Sequence, residues 1–126
     1  MENHRNTYPK DEKLKSRATI DLLFTGGKSV SKYPLRLVYV PQPEPGSITQ
    51  MGVSVSKKYF KKATDRNYFK RVLRETYRHH KGILYQNLDK PYAFMFLYQT
   101  KDRLSFEEIN TKTVQLFEKF AAQENL

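Results

Sequence analysis

Met51-Gly-Val-Ser-Val-Ser-Lys-Lys58 and, after a short connector, Thr64-Asp-Arg-Asn-Tyr-Phe-Lys-Arg-Val-Leu-Arg-Glu-Thr-Tyr-Arg-His-His-Lys-Gly82 hold the pattern from which the rest of the chain can be read. In the first stretch Met51, Val53 and Val55 alternate with Gly52, Ser54 and Ser56, the period-two mark of a strand with one buried face. In the second, setting Arg66 at zero and advancing about 100° per residue places Asn67, Lys70, Arg71, Arg74, Arg78 and Lys81 between roughly 40° and 140°. Phe69, Val72, Leu73, Thr76 and Tyr77 fall between roughly 240° and 20° on the same wheel. A strand therefore feeds a long helix with one apolar and one cationic side. Thr64 is placed to cap it, Asp65 suits the positive end of its dipole, and Gly82 suits the C′ position after an end near His80.

Upstream, Leu35 to Val40 is β-rich and stops at Pro41, Pro43 and Pro45, which cannot continue a ladder. This strand is expected to pair antiparallel with the one at Met51. Before it, Ser16 is a plausible N-cap for a short helix carrying Ile20, Leu23 and Phe24 and ending at Gly26-Gly27. Downstream, Tyr92 to Tyr98 is almost wholly apolar and aromatic and reads as a central strand buried on both faces, although a run of seven residues does not by itself exclude a buried helix turn. Ser105-Phe-Glu-Glu108 matches a capping box, and Phe106, Ile109, Leu116, Phe117 and Phe120 follow at helical spacing. The order helix, strand, strand, helix, strand, helix gives an α+β fold, an α/β sandwich in which a single sheet of three to four strands packs with about three helices. Residues 1–13, polar and without apolar period, read as a flexible basic tail, 14–121 as one RNA-binding domain and 122–126 as a C-terminal tail.

The charge narrows the function. Lys and Arg number 23 against 13 Asp and Glu, a net +10, which draws polyanions and makes nucleic acid the leading partner. There is no apolar run near the ~20 residues that span a bilayer and no signal-peptide core, so a soluble cytoplasmic protein without a membrane partner is expected. The absence of Cys excludes thiolate metal sites and a Cys nucleophile. Ten of the Lys and Arg lie between Lys57 and Lys81 against only Asp65 and Glu75. Like charges at i,i+4 repel by a few tenths of a kcal/mol, so the ladder Arg66, Lys70, Arg74, Arg78 makes sense if phosphates neutralise it. Arginine forks suit phosphate oxygens and base planes of folded RNA, and Asn67 is able to serve a hydrated, phosphate-bound metal ion. No paired carboxylates, Ser-His-Asp set or Gly-rich phosphate loop is present. His79 and His80 stand about 100° apart and share no ligand face, while Asp21, Asp89 and Asp102 are scattered, which argues against a nuclease acting alone. A structural or assembly RNA-binding protein of ribosomal type fits the same cationic helix.

Ser54-Val-Ser-Lys-Lys58 followed by Arg66-Asn-Tyr-Phe-Lys-Arg-Val-Leu-Arg-Glu75 resembles the signature of the bacterial ribonuclease P protein family. Leu14-Lys-Ser-Arg17, Phe24 and Gly27-Lys-Ser-Val30 are similar to that family's first helix and the loop after it, and the resemblance runs from about residue 14 to 120. Two positions depart from it: Tyr68 stands where the family usually has Arg, and Ile20 where it often has an aromatic. The resemblance implies a left-handed βαβ crossover and a subunit of a ribonucleoprotein endonuclease that removes the 5′ leader of precursor tRNA. Catalysis then belongs to the RNA subunit, whose bound Mg2+ activates water, and the protein supplies no catalytic residue and needs no organic cofactor or protein partner. It further implies two surfaces. Arg66, Asn67, Lys70, Arg71, Arg74 and Arg78 would bind the catalytic RNA. A cleft between the first helix and the sheet would hold the single-stranded leader, with Phe24, Leu37 and Tyr39 inside it and Lys28, Lys57 and Lys58 at its edge.

Overall fold

The computed structural model describes residues 8–86 and 88–124. Its elements are α1 (Arg17–Gly26), β1 (Lys28–Lys32), β2 (Leu35–Pro41), β3 (Gln50–Val55), α2 (Ala63–Tyr85), β4 (Tyr92–Tyr98) and α3 (Phe106–Gln123). The four strands form one sheet in the order β1-β2-β4-β3. β1 with β2 and β2 with β4 are antiparallel, whereas β3 and β4 run parallel and are joined by α2.

Two expectations change here. β1 was expected as loop; its Lys-Ser-Val-Ser-Lys has only Val30 buried and so carries little apolar signal. β2 and β3 do not pair with each other, because β4 lies between them. The cause is visible in burial: every residue of β4 except Leu97 is buried, and a strand apolar on both faces gains most at the sheet centre, with a neighbour on each side. β3 offers only Met51 and Val55 as buried side chains and takes an edge.

The sheet divides two layers. Leu37, Tyr39, Met51, Val55, Phe94, Phe96 and Tyr98 join Phe69, Leu73 and Tyr77 of α2 and Leu116, Phe117 and Phe120 of α3 in the main core. Phe120 meets Tyr39 edge-on at 4.7 Å and Phe94 at 5.3 Å, contacts that add about 0.5–1.5 kcal/mol each beyond the area they bury. On the other face Val38, Ala93 and Met95 pack with Leu14 and Leu23 in a smaller cluster under α1. Gly52 belongs to that face; a Cβ there would stand 3.0 Å from Met95 Cε, so a side chain at this position would have to displace the end of the Met95 side chain.

Helix termini follow local chemistry with two corrections. Ser16 accepts the Thr19 amide, and the Ser105/Glu108 capping box forms in both directions. α2, however, starts one residue before Thr64, with Lys62 at the N-cap and no side-chain cap. It also runs through Gly82 to Tyr85: the burial of Leu84 outweighs the ~1 kcal/mol that an internal glycine costs.

Residues 8–13 are not the flexible tail expected of them. They form a strap across the β3 edge: Leu14 N–H donates to the Met51 carbonyl at 3.0 Å, the Tyr8 hydroxyl donates to the same oxygen, and Lys13 bridges Met51. Lys10–Glu12 make one 3-10 turn that presents Glu12 to α2. Residues 122–124 are likewise packed, since α3 continues to Gln123, whose amide donates to Tyr39. Residues 1–7 and 125–126 of the expected tails lie outside the described residues. At the opposite edge, Lys119 Nζ and Gln123 Nε2 of α3 donate to the β1 carbonyls of Ser31 and Ser29 at 2.9 and 3.4 Å.

Candidate RNA interface

α2 presents the cationic side that its periodicity predicts, but a shorter one. Asn67, Arg71 and Arg74 are exposed and Lys70 half-buried, and among the described residues no carboxylate lies within 4 Å of these three cations. Arg66 is half-buried and committed locally, donating to the carbonyls of Phe60 and Lys61 at 3.0 and 2.7 Å. It thereby ties the connector after β3 to the first turn of the helix. Arg78 is engaged by Glu75, which His79 also approaches at 3.3 Å; the Arg78 guanidinium holds the Glu75 carboxyl below the usual carboxylate range. The ladder of four like charges therefore has an acid at its lower end, contrary to the wheel. Lys81 leaves the ridge altogether. It is 1% exposed under the strap, its Nζ 3.0 and 3.1 Å from the two Glu12 oxygens.

A cation that sequence reading missed stands beside the helix start. Arg103, in the connection from β4 to α3, lies over the rings of Phe60 and Phe69 at 5.8 and 5.3 Å and pairs with Asp65 at 3.2 Å. Its position depends on a long-range contact, so no local pattern announces it. Tyr68 is 40% exposed, edge-on to Phe69 at 4.9 Å, with Arg71 over its ring at 5.8 Å. It sits at the rim of the ridge, beside Arg71 and outside the arc of Asn67, Lys70 and Arg74. Tyr68→Arg should therefore be tolerated. Titration against a folded RNA at two salt concentrations should show at most about 1 kcal/mol of tightening, confined to low salt, with an unchanged melt.

The second surface needs correction in its strand residues. Leu37 and Tyr39 are 0% and 1% exposed and point into the main core, away from α1. The residues of β2 and β4 that face α1 are Arg36, Val38, Val40, Ala93, Met95 and Leu97, the opposite parity. α1 covers only part of this face: Val38 and Met95 are buried, Leu97 and Ser54 half-buried and Arg36 exposed. Phe24 is 55% exposed and is not a core residue. Gly26 shares a small cavity with Val40 and Pro41, which turns the other flank of α1, with Ile20 and Phe24, toward Arg36, Leu97 and Ser54. Phe24 thus stands exposed on the flank of α1 that borders the incompletely covered part of the sheet face. The three lysines do not line it together. Lys57 and Lys58 are exposed after β3. Lys28 lies at the far end of the sheet, opposite Tyr39 and 3.7 Å from Glu124, a separation of roughly 20 Å at the rise of a strand.

A family model described as Ribonuclease P matches residues 8–121. The chain belongs to the ribonuclease P protein family. Within it, the ribonuclease P protein component of Porphyromonas gingivalis is 42% identical over 76 residues, which cover 60% of this chain and 56% of that relative. The component of Dictyoglomus thermophilum is 28% identical over 92% of this chain and 93% of its own length. Among solved structures, the ribonuclease P protein of Thermotoga maritima superposes with a TM-score of 0.68 at 26% identity, over 86% of this chain and 96% of that one. The Staphylococcus aureus protein, at TM-score 0.71 and 20% identity over 86% of this chain and 94% of that one, shares the fold. The match begins at residue 8, so the strap lies inside the ribonuclease P protein region. Among the described residues no helix is long and apolar enough to cross a membrane.

Proposed function

We propose that this chain is the RNA-binding subunit of a cytoplasmic ribonuclease P, assisting an RNA subunit in removing the 5′ leader from precursor tRNA. The carrying observation is the cation set Lys70, Arg71 and Arg74, without a carboxylate partner among the described residues, beside Asn67 on a helix of a ribonuclease P family chain. Phosphates of the catalytic RNA would complete these charges, while the groove between α1 and the sheet would take the single-stranded leader. Leader recognition must accept many sequences, which favours stacking on Phe24 and backbone contact at Arg36 over reading of base edges.

Mg2+, placed by this reading on RNA phosphates, supplies activation of water and stabilisation of the leaving oxygen. Among the described residues no three His, Cys, Asp or Glu converge as a ligand set; the exposed Asn67 carboxamide suits a hydrogen bond to a hydrated, phosphate-held ion. The protein's share is charge: cations along α2 lower phosphate repulsion and should reduce the Mg2+ concentration needed for cleavage. Precursor cleavage by a bacterial ribonuclease P RNA, with and without this protein across a Mg2+ series, tests it. A shift of the curve to lower Mg2+ is expected, and superimposable curves would sink the assignment. An assembly protein of ribosomal type would need the α2 ridge but no groove. Phe24→Ala separates the two readings. It should weaken leader-bearing precursor by about 1–3 kcal/mol, leave mature tRNA binding unchanged, and leave the melt unchanged because the ring is already largely exposed.

A further inference from the structure

We propose that the end of the sheet beneath the last residue of α1 binds one guanine nucleotide. A cavity of about 180 Å3 opens there between Gly26, Val40, Pro41 and the side chain of Glu124. It is smaller than the roughly 300 Å3 at which pockets for drug-sized ligands begin, so it suits a single planar base with sugar and phosphate left outside.

The polar groups of this cavity are specific. Tyr92 lines it, is 5% exposed, and its hydroxyl has no hydrogen-bond partner among the described residues. That hydroxyl is not sealed in the interior, so it is open to whatever fills the cavity. Burial, with the carboxylates of Glu124 and Asp89 nearby, raises its pKa, which keeps it a donor at neutral pH. Beside it the Glu124 carboxylate accepts from the Tyr39 hydroxyl at 2.5 Å, and that hydroxyl accepts from Gln123. The carboxylate is thus fixed in direction while keeping acceptor capacity, because an ionised carboxylate has about four acceptor sites. Lys28, whose ammonium lies 3.7 Å from the Glu124 carboxylate and whose side chain is 72% exposed, and Lys90 also line it, so the carboxylate's charge is partly balanced while both ammonium groups keep donors for an anion.

A ligand completing this set must offer N–H donors to a carboxylate, a carbonyl to a tyrosine hydroxyl and an anion to two ammonium groups. Guanine carries adjacent N1–H and N2–H donors beside its O6 acceptor, and its phosphate supplies the anion. Adenine, cytosine and uracil lack paired donors beside a carbonyl on that edge. A free guanine nucleotide and an unpaired guanine of bound RNA present the same groups; the RNA source rests on the function proposed above, the free nucleotide does not.

Titrating the full chain with GMP, AMP, CMP and UMP, followed by amide NMR, tests the proposal. GMP should shift the amides of Gly26, Lys28, Val40 and Tyr92, with the other nucleotides about tenfold weaker or worse. Glu124→Gln should lose about tenfold in GMP affinity and Tyr92→Phe several-fold, both with unchanged melts. A uridine pentamer with one central guanosine, compared with the all-uridine pentamer, distinguishes the sources: shifts with the pentamer and not with GMP assign the site to RNA. No shift from either at about 10 mM, equal shifts from all four nucleotides, or full affinity in Glu124→Gln would overturn it. None of these measurements uses the catalytic RNA, so a failed reconstitution and a failed guanine site are separate results.

Discussion

Glu12→Ala should cost about 3–5 kcal/mol of stability, the largest effect expected of any polar substitution in this protein. The Lys81 ammonium touches both Glu12 oxygens at 3.0 and 3.1 Å and its side chain is 2% exposed. Without the carboxylate it keeps the rings of Tyr77 and Tyr85 at 5.9 and 5.7 Å, which cannot replace the lost charge. The Tyr77 hydroxyl loses an acceptor as well, since it donates to Glu12 at 3.0 Å. Lys81→Met should cost less, because Glu12 is 15% exposed and can recover water. Joining the two changes as Glu12→Leu with Lys81→Met should restore most of the stability, because a buried ion pair replaced by apolar groups of similar shape is often neutral. Urea melts of the three variants decide it; a loss below about 1 kcal/mol for Glu12→Ala would mean that Lys81 finds water and the strap is not anchored by charge.

The triple change Lys70→Ala, Arg71→Ala and Arg74→Ala should abolish most RNA binding and leave the fold intact. Each phosphate contact removed lowers the slope of log affinity against log salt by about one, so the triple variant should lose about three. At low salt this amounts to about two to three orders of magnitude in affinity for the RNA subunit. Stability should rise by a few tenths of a kcal/mol, since Lys70 and Arg74 repel at i,i+4. That opposite sign identifies the ridge as functional. A slope unchanged in filter-binding titrations across salt would place the RNA elsewhere, whereas a lowered melt would show that the cations are structural.

What the sequence disclosed and what it withheld have separable physical causes. α2 and α3 were legible because helical periodicity is local: Phe69, Leu73 and Tyr77 on one arc and Asn67, Lys70, Arg71 and Arg74 on the other needed no partner to be recognised. β4 was legible as a buried strand for the same reason. The sheet order was less so: β2 is apolar on both faces, with Leu37 and Tyr39 on one and Val38 and Val40 on the other, and nothing local says which strands are its neighbours. The groove suffered from the same gap. Residues 35, 37, 39 and 36, 38, 40 are the two faces of one strand, and the choice of face toward α1 depends on tertiary packing. Choosing Leu37 and Tyr39 gave the core face. Lys81 shows the limit of a helical wheel: its angle is that of Lys70 and Arg74, and only the strap, with Glu12 lying 69 residues upstream, buries it. Arg103 escaped for the same reason of distance.

The two borders of the sheet bear on how such a basic chain avoids pairing with copies of itself. A free strand edge is a template on which further copies can polymerise, and a protein carrying +10 with a β-rich, aromatic interior is at risk whenever its polyanion is scarce. Here both borders are occupied in part. Lys119 and Gln123 occupy outward carbonyls of β1, and the strap occupies the Met51 carbonyl of β3. Mutual repulsion between copies adds to this. Fewer open backbone groups are thus left along these borders for a second copy of the chain to pair with, and like charge keeps copies apart.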